Sequence, residues 1–135
     1  ADGNTLAVGG SADNSVQGAT WIFTRSNTTW TQQGTKLVGT GATGAQPSQG
    51  QNCSLSADGN TLASTSSADN TDIGATWIFT RSGTTWTQQG TKLVSTSNTG
   101  TSRQGASCSL SADGNTLAVG GYSDDARKGA TWIFT

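Results

Sequence analysis

The chain has 135 residues, of which 11% are charged and 31% are hydrophobic, and its formal net charge is −1. Its few basic residues are scattered, so we expect no nucleic-acid partner, because phosphate contacts require a basic surface. No apolar run reaches the roughly 18 residues that a membrane-spanning helix needs, so we expect no membrane insertion. The low net charge and the short β-branched and aromatic runs favour a folded, β-rich chain over a disordered one.

Two segments each occur three times along the chain. ADGNTLA stands at residues 1–7, 57–63 and 112–118, and WIFT stands at residues 21–24, 77–80 and 132–135. The offsets between copies are 56 and then 55 residues. The one-residue difference falls between Val38 and Gly50, where a surface loop tolerates an insertion. The chain is therefore an internally repeated protein, and its repeat unit determines its fold.

In chain order, the copies are a partial one at residues 1–38, a complete one at 50–94 and a partial one at 105–135. The complete copy is predicted to form four short strands, at residues 53–56, 61–63, 75–80 and 85–89, the last of them continuing to 94. The first copy holds the equivalents of the last three strands, and the third copy holds those of the first three. No segment has the apolar period of about 3.6 residues that is typical of a helix, so no helix is predicted.

The connections between the predicted strands are short and polar. Asp58-Gly59 predicts a two-residue hairpin turn between the first two strands, because Gly tolerates the positive φ of a primed turn. A polar loop at residues 67–74 precedes the third strand, and Arg81 to Thr84 form the next turn. All strands of a copy are therefore expected to be antiparallel neighbours.

Four antiparallel strands per copy predict the blade of a β-propeller. The repeat period is slightly longer than the roughly 40–50 residues usual for such blades. In the third strand, Trp77 and Phe79 alternate with Thr76, Ile78 and Thr80, so that both faces carry apolar groups. A sheet between two neighbouring sheets needs this pattern. We thus predict an all-β chain of about two and a half blades. A β-solenoid and a β-sandwich are the alternatives, which the repeated hairpins and the regular period disfavour.

The pattern Gly…Cys-Ser-Leu-Ser-Ala-Asp-Gly-Asn-Thr-Leu-Ala…Gly-Ala-Thr-Trp-Ile-Phe-Thr, at residues 50–80 and 105–135, resembles the FG-GAP repeat family. These repeats are the blades of integrin α-subunit-type propellers and of many bacterial surface proteins. The resemblance covers essentially the whole chain. It implies a propeller, usually seven-bladed, that serves recognition or adhesion at an extracellular or cell-surface location.

The calcium loop of that family is reduced in this chain. The family has several Asp or Asn residues at alternating positions between the first two strands, whereas only Ser56-Ala57-Asp58-Gly59-Asn60 stands there. One carboxylate cannot supply the roughly six to eight oxygens that calcium prefers. We therefore expect a tight turn without metal, and no cofactor.

The five tryptophans occupy two positions of the repeat. Trp21, Trp77 and Trp132 lie in the apolar strand, where they are expected to pack between blades. Trp30 and Trp86 are flanked by Thr and Gln on a predicted outer strand. Packing remains their alternative role, but they are the better candidates for stacking on sugar rings, as in a lectin-like module.

Three aspartates, Asp13, Asp69 and Asp124, share one position in the loop after the second strand. On one face of a propeller they would form an acidic rim for a ligand or a cation. An Asx turn that satisfies the loop backbone is the alternative, which we favour. The residues beside them vary most among the copies, which indicates either ligand specificity or relaxed constraint.

Catalytic chemistry has little support in the sequence. The chain contains no His, so a Ser-His or Cys-His pair is excluded. Cys53 and Cys108 are equivalent in the repeat, in a strand that would line the channel of a propeller. They are expected to be buried thiols, and a disulfide is the alternative if their Cα atoms lie within about 7 Å. No metal site follows from two isolated cysteines.

The copies at the two ends are split within a blade, and we expect further blades or other copies of the chain to cover their open edges and faces. The expected function is a non-enzymatic extracellular module that binds a glycan or a protein, or that builds a surface assembly by self-association. A purely structural or engineered repeat without a ligand is the alternative.

Overall fold

The computed structural model describes residues 2–135; Ala1, the first residue of the predicted partial copy 1–38, lies outside the described residues. The prediction of an all-β chain is confirmed, because strands form the fold. The strands are β1 (Thr5–Gly10), β2 (Ala19–Ser26), β3 (Thr29–Gln32), β4 (Asn52–Leu55), β5 (Thr61–Ser66), β6 (Ala75–Ser82), β7 (Thr85–Gln88), β8 (Ser107–Leu110), β9 (Leu117–Gly121) and β10 (Ala130–Phe134).

The strands form three antiparallel sheets in which neighbours in sequence are also neighbours in space. Sheet 1 has the order β1-β2-β3, sheet 2 the order β4-β5-β6-β7 and sheet 3 the order β8-β9-β10. The register repeats, since the strand pairs Leu6–Phe23, Leu62–Phe79 and Leu117–Phe134 are equivalent. Within residues 2–135 the sheets do not close into a barrel.

Sheet 2 packs between the other two sheets, because its strands carry apolar side chains on both faces. Trp77 and Phe79 belong to an apolar cluster with Ile22 of sheet 1. Between them in β6, Ile78 belongs to a second cluster, with Val119 of sheet 3. The alternation along one strand therefore produces two interfaces, as a strand with side chains on opposite faces must.

Each connection between sheets returns to the sheet that it leaves. After β3, Leu37 and Thr20 exchange backbone hydrogen bonds of 2.8 and 3.0 Å, and after β7 Leu93 and Thr76 do the same. Further on, Gln49 forms a parallel bridge to Gly18. The predicted continuation of the fourth strand to residue 94 is thus reduced to a bridge at Leu93, and β7 itself ends at Gln88.

The predicted two-residue turn at Asp58-Gly59 is wrong. Strands β4 and β5 are joined by a longer loop from Ser56 to Asn60, which the Gly59 N–H closes by donating to the Ser56 carbonyl at 3.0 Å. Only Gly59 in this loop has a positive φ, 69°, whereas a primed turn requires two such residues or a positive φ at its first central position. The hydroxyl of Ser56 accepts from the Thr61 N–H at 3.0 Å and stabilises this longer loop.

The prediction that no helix occurs also needs correction, because a helical turn follows the second strand of each copy. These turns are α1 (Asp13–Val16), α2 (Asp69–Asp72) and α3 (Asp124–Arg127). They are left-handed rather than α-helical, since the φ angles of Asn70 and Thr71 in α2 are 53° and 57°. Turns this short have no apolar periodicity, so the criterion used for helices cannot find them.

Candidate functional site

Asp69, one of the predicted rim aspartates, is fully buried at the start of α2. Its Oδ1 accepts a hydrogen bond of 2.8 Å from the Thr43 N–H, and its Oδ2 forms an ion pair with Lys92. Thr43 lies in the connection from sheet 1 to sheet 2, and Lys92 follows β7. Asp69 therefore fixes one connection against another, and both of its oxygens have partners within the chain.

Each of the other two aspartates repeats one of these two contacts. Asp124 accepts a hydrogen bond of 2.7 Å from the Thr99 N–H, and Asp13 forms an ion pair with Lys36. Among the described residues, no hydrogen bond joins one of these aspartates to another. Their contacts favour the loop-stabilising role over a shared acidic rim.

The turns that these aspartates begin expose strained backbone. In each copy, three consecutive residues other than Gly have positive φ: Asn14, Ser15 and Val16; Asn70, Thr71 and Asp72; and Asp125, Ala126 and Arg127. For Val16 and Thr71 this is unusual, because the left-handed region costs an L-residue roughly 1–2 kcal/mol. The most variable side chains of the repeat are thus held on a mostly exposed turn with strained backbone, which is where a recognition surface is expected.

Trp86, a predicted glycan-stacking residue, is engaged between sheets 1 and 2. Its indole Nε1–H donates to Gln33 Oε1 at 3.0 Å, and the guanidinium of Arg81 lies 5.3 Å from the ring centroid. Arg81 Nη1 donates to the same Gln33 oxygen at 3.2 Å. Because Trp86 also packs against the apolar cluster of these two sheets, its contacts are those of a packing residue.

Trp30, the equivalent residue of sheet 1, has a different environment. All four residues of β3 are exposed, and Trp30 is 41% exposed. Arg25 lies 5.4 Å from its ring centroid, a cation–π distance. Of the two predicted stacking residues, Trp30 is thus the more exposed, since Trp86 is half-buried.

Two of the three tryptophans of the apolar strand, Trp77 and Trp132, donate hydrogen bonds from their indole N–H groups to the connections between sheets. Trp77 is fully buried and its Nε1–H donates to the Thr40 carbonyl at 2.9 Å. Trp132, the equivalent residue of sheet 3, donates to Ser97 Oγ at 3.3 Å. Both contacts agree with the packing role expected for this position.

Cys53 and Cys108 are free thiols in β4 and β8. Burial raises the pKa of Cys53, and burial together with the nearby Cys53 raises the pKa of Cys108 to about 11. Both thiols are therefore protonated at neutral pH, which is the opposite of what a nucleophilic cysteine requires.

The carboxylate of Asp58 accepts its hydrogen bonds from residues of its own loop. It accepts hydrogen bonds from the Ser56 hydroxyl at 2.6 Å and from the Asn60 N–H at 3.0 Å, and these bonds lower its pKa to about 2. In the part of the chain that the structure describes, no group of three or more His, Cys, Asp or Glu side chains is placed to hold a metal ion.

One residue of the interface between sheets 1 and 2, Gln33, is not predicted from the sequence. The side-chain oxygen of Gln33 accepts hydrogen bonds from the Arg81 guanidinium and from the Trp86 indole. Gln89 stands at the equivalent position of the next copy. A second Gln follows Trp-Thr-Gln in both copies, and this recurrence indicates a common role. A polar residue after a strand, however, does not identify its partner.

No protein-family model matches the chain, and a search of curated proteins found no significant match. Over residues 2–135, no helix has the length and apolar character needed to cross a membrane.

Proposed function

We propose that the three sheets are blades of a β-propeller of the FG-GAP type, and that the chain is a non-enzymatic extracellular module for binding or assembly. One observation carries the proposal: the same repeat positions form both sheet interfaces. Leu62 and Ile22 meet between sheets 1 and 2, and Leu117 and Ile78 meet between sheets 2 and 3. An interface that is reused from one unit to the next allows further units to be added in the same way.

The two outer faces each present one half of this interface. On sheet 1, Leu6 is 43% exposed and Val8 42% exposed, whereas Leu62, the equivalent of Leu6, is fully buried. On sheet 3, Ile133 is 60% exposed, whereas its equivalent Ile22 is buried at 1%. The two faces are complementary rather than identical. They therefore favour head-to-tail self-association, or packing of further blades, over a two-fold dimer.

The ligand of such a module is proposed to be a glycan or a protein that needs no cofactor. Trp30 supplies an accessible aromatic ring for a sugar, and the exposed left-handed turns supply variable side chains. A purely structural repeat without a ligand is the second candidate. It is favoured by the internal contacts of Asp69 and Trp86, which leave both groups engaged within the chain.

The assembly part is tested by sedimentation velocity of the whole chain at micromolar concentration. We expect species that are multiples of 13.7 kDa. Leu6→Asp and Ile133→Asp, one on each face, should each dissociate them, because a charge would be buried at the contact. Thr101→Asp, which adds the same charge on an exposed loop, is the control and should leave the mass unchanged. A folded monomer at all concentrations would contradict self-association.

The ligand part is tested on a glycan array. Binding that Trp30→Ala abolishes and Thr29→Ala retains would support a lectin-like role, since both residues are exposed on β3. A folded parent chain that binds no glycan would reject the glycan ligand.

A further inference from the structure

An open cleft of about 320 Å³ lies between sheets 1 and 2. One wall is the segment that follows β3, residues 33–35 and 37, and the other is the start of β7 with the residue before it, residues 84–86. Both walls have described chain before and after them, and sheet 2 has all four strands. The volume lies at the lower end of the roughly 300–1,000 Å³ of small-ligand sites, so the cleft suits a small ligand.

The side-chain amide of Gln33 is held in one orientation at this cleft. Its Oε1 accepts hydrogen bonds from the Trp86 indole at 3.0 Å and from Arg81 Nη1 at 3.2 Å. Because an indole and a guanidinium can only donate, this end of the amide must be the oxygen, and the other end is the NH2 group. Within residues 2–135, this NH2 group donates no hydrogen bond, and it is not a buried atom. Gln33 therefore offers two free donors in a fixed direction.

The rest of the lining combines apolar surface with hydroxyl groups. The half-buried Trp86 and Leu37 supply the apolar part, and the exposed Thr35, Thr84 and Thr85 supply the hydroxyls. Of the described residues, those that line the cleft include no charged side chain. A sugar ring has apolar C–H groups that pack on an aromatic ring and hydroxyl groups that both donate and accept. The lining thus matches a neutral sugar in both respects.

We propose that this cleft is a second sugar site, separate from Trp30, and that it takes one neutral sugar ring. The Gln33 NH2 group donates to an oxygen of the sugar, and the Trp86 ring packs against its C–H groups. The contacts that pack Trp86 between the sheets also orient Gln33 before the ligand arrives, so that little side-chain freedom is lost on binding. This inference rests on the glycan ligand proposed above and adds a place for it.

The test is an NMR titration of the whole chain, labelled with nitrogen-15, with D-glucose, D-galactose, D-mannose and N-acetyl-D-glucosamine in turn. Indole N–H and side-chain NH2 groups give separate signals, so the spectrum reports which Trp and which Gln contact the sugar. With at least one of these sugars we expect saturable shifts of the Trp86 indole and Gln33 NH2 signals at millimolar concentrations. The signals of the fully buried Trp77 should stay unchanged.

Two variants alter the cleft. Thr35→Tyr fills it and should abolish the shifts of Trp86. Gln33→Glu keeps an oxygen for Arg81 and Trp86 but replaces the NH2 group with an acceptor, so the sugar should bind at least tenfold more weakly. Thr91→Tyr and Gln89→Glu are the matched controls, because they make the same changes at the equivalent exposed positions of the next copy. Both should retain the parent affinity, and circular dichroism should show one fold for all chains.

The inference is overturned if either cleft variant binds the sugar as tightly as the parent chain does. Shifts of the Trp30 indole without shifts of Trp86 would also overturn it, while the proposed glycan ligand would stand. The absence of shifts with all of these sugars would overturn it as well. Binding on the glycan array that depends on Trp30 would in that case still support the proposed function.

Discussion

The hydroxyl groups of Thr20 and Ser64 lie 2.8 Å apart between sheets 1 and 2, and both residues are fully buried. At the equivalent place between sheets 2 and 3, Thr76 faces a copy in which Val119 replaces this serine. Within residues 2–135, Thr76 Oγ1 consequently has no hydrogen-bond partner. The same replacement explains why Gln104 Nε2 also has no partner among these residues, since the equivalent Gln49 Nε2 donates to Ser64 Oγ at 3.4 Å.

Replacement of this threonine by valine should have opposite effects at the two interfaces. Thr76→Val removes an unpaired buried hydroxyl and should raise the free energy of unfolding by about 1 kcal/mol. Thr20→Val removes the partner of Ser64 and should lower it by about 1–2 kcal/mol. Urea unfolding followed by circular dichroism measures both. Equal effects of the two variants would show that the two hydroxyls are in equivalent environments, against this account.

Removal of Asp69 should be far more destabilising than removal of Asp13. The Asp69 side chain is fully buried against Lys92, whereas Asp13 and its partner Lys36 have side chains 26% and 37% exposed. Asp69→Ala leaves a mostly buried ammonium and the Thr43 N–H without a partner, so we expect a loss of about 3 kcal/mol in the free energy of unfolding. For Asp13→Ala we expect at most about 1 kcal/mol. Thermal and urea unfolding compare the two, and similar losses would contradict the role assigned to Asp69.

The pKa of the Asp58 carboxyl should be unusually low, and the hydrogen bond from Ser56 should be a main cause of this lowering. Hydrogen bonds to the ionised form lower its pKa from 3.8 to about 2. Because the folded value lies below the unfolded one, this stabilisation is present above about pH 4 and is lost as the pH falls through about 2. Ser56→Ala should return the pKa towards 3.8. Carboxyl carbon NMR measures it, with Asp113, whose pKa Ser111 lowers in the third copy, as an unchanged internal control.

The two thiols should react slowly with alkylating agents while the chain is folded. With a pKa of about 11, only about one Cys108 side chain in a thousand is a thiolate at pH 8, against about one in ten at the ordinary value of 9.0. We expect iodoacetamide to label Cys108 at least tenfold more slowly than after unfolding in guanidinium. Mass spectrometry of the two cysteine peptides gives the rates. Equal labelling of folded and unfolded chain would contradict the burial described for this residue.

The strands can be predicted because the pattern that indicates each of them lies within a few consecutive residues. Alternation of Trp77, Ile78 and Phe79 places apolar groups on both faces of one strand, and that alone indicates a sheet with neighbours on both sides. The order of strands within each copy follows from short connections, which join adjacent antiparallel strands.

The remaining features depend on residues far apart in the sequence. The left-handed turn after Asp69 is held by Thr43 and Lys92, which lie 26 and 23 residues away. The role of Trp86 depends on Gln33, 53 residues away, and no pattern within one copy shows that pairing. The hairpin at Asp58-Gly59 was mispredicted because the Ser56 hydroxyl, a contact outside the dipeptide, stabilises a longer loop.

The most direct test of the proposed head-to-tail packing of the sheets of neighbouring copies is cross-linking between two single-cysteine additions. Leu6→Cys lies on the outer face of sheet 1 and Ile133→Cys on the outer face of sheet 3, at positions whose equivalents, Leu62 and Ile22, share one apolar cluster. With a short bismaleimide, a mixture of the two variants should give a covalent dimer of one copy of each. Either variant alone should stay uncross-linked, as should the parent chain, whose two cysteines are half-buried. Absence of the mixed dimer, or equal cross-linking of a single variant with itself, would contradict the proposed assembly.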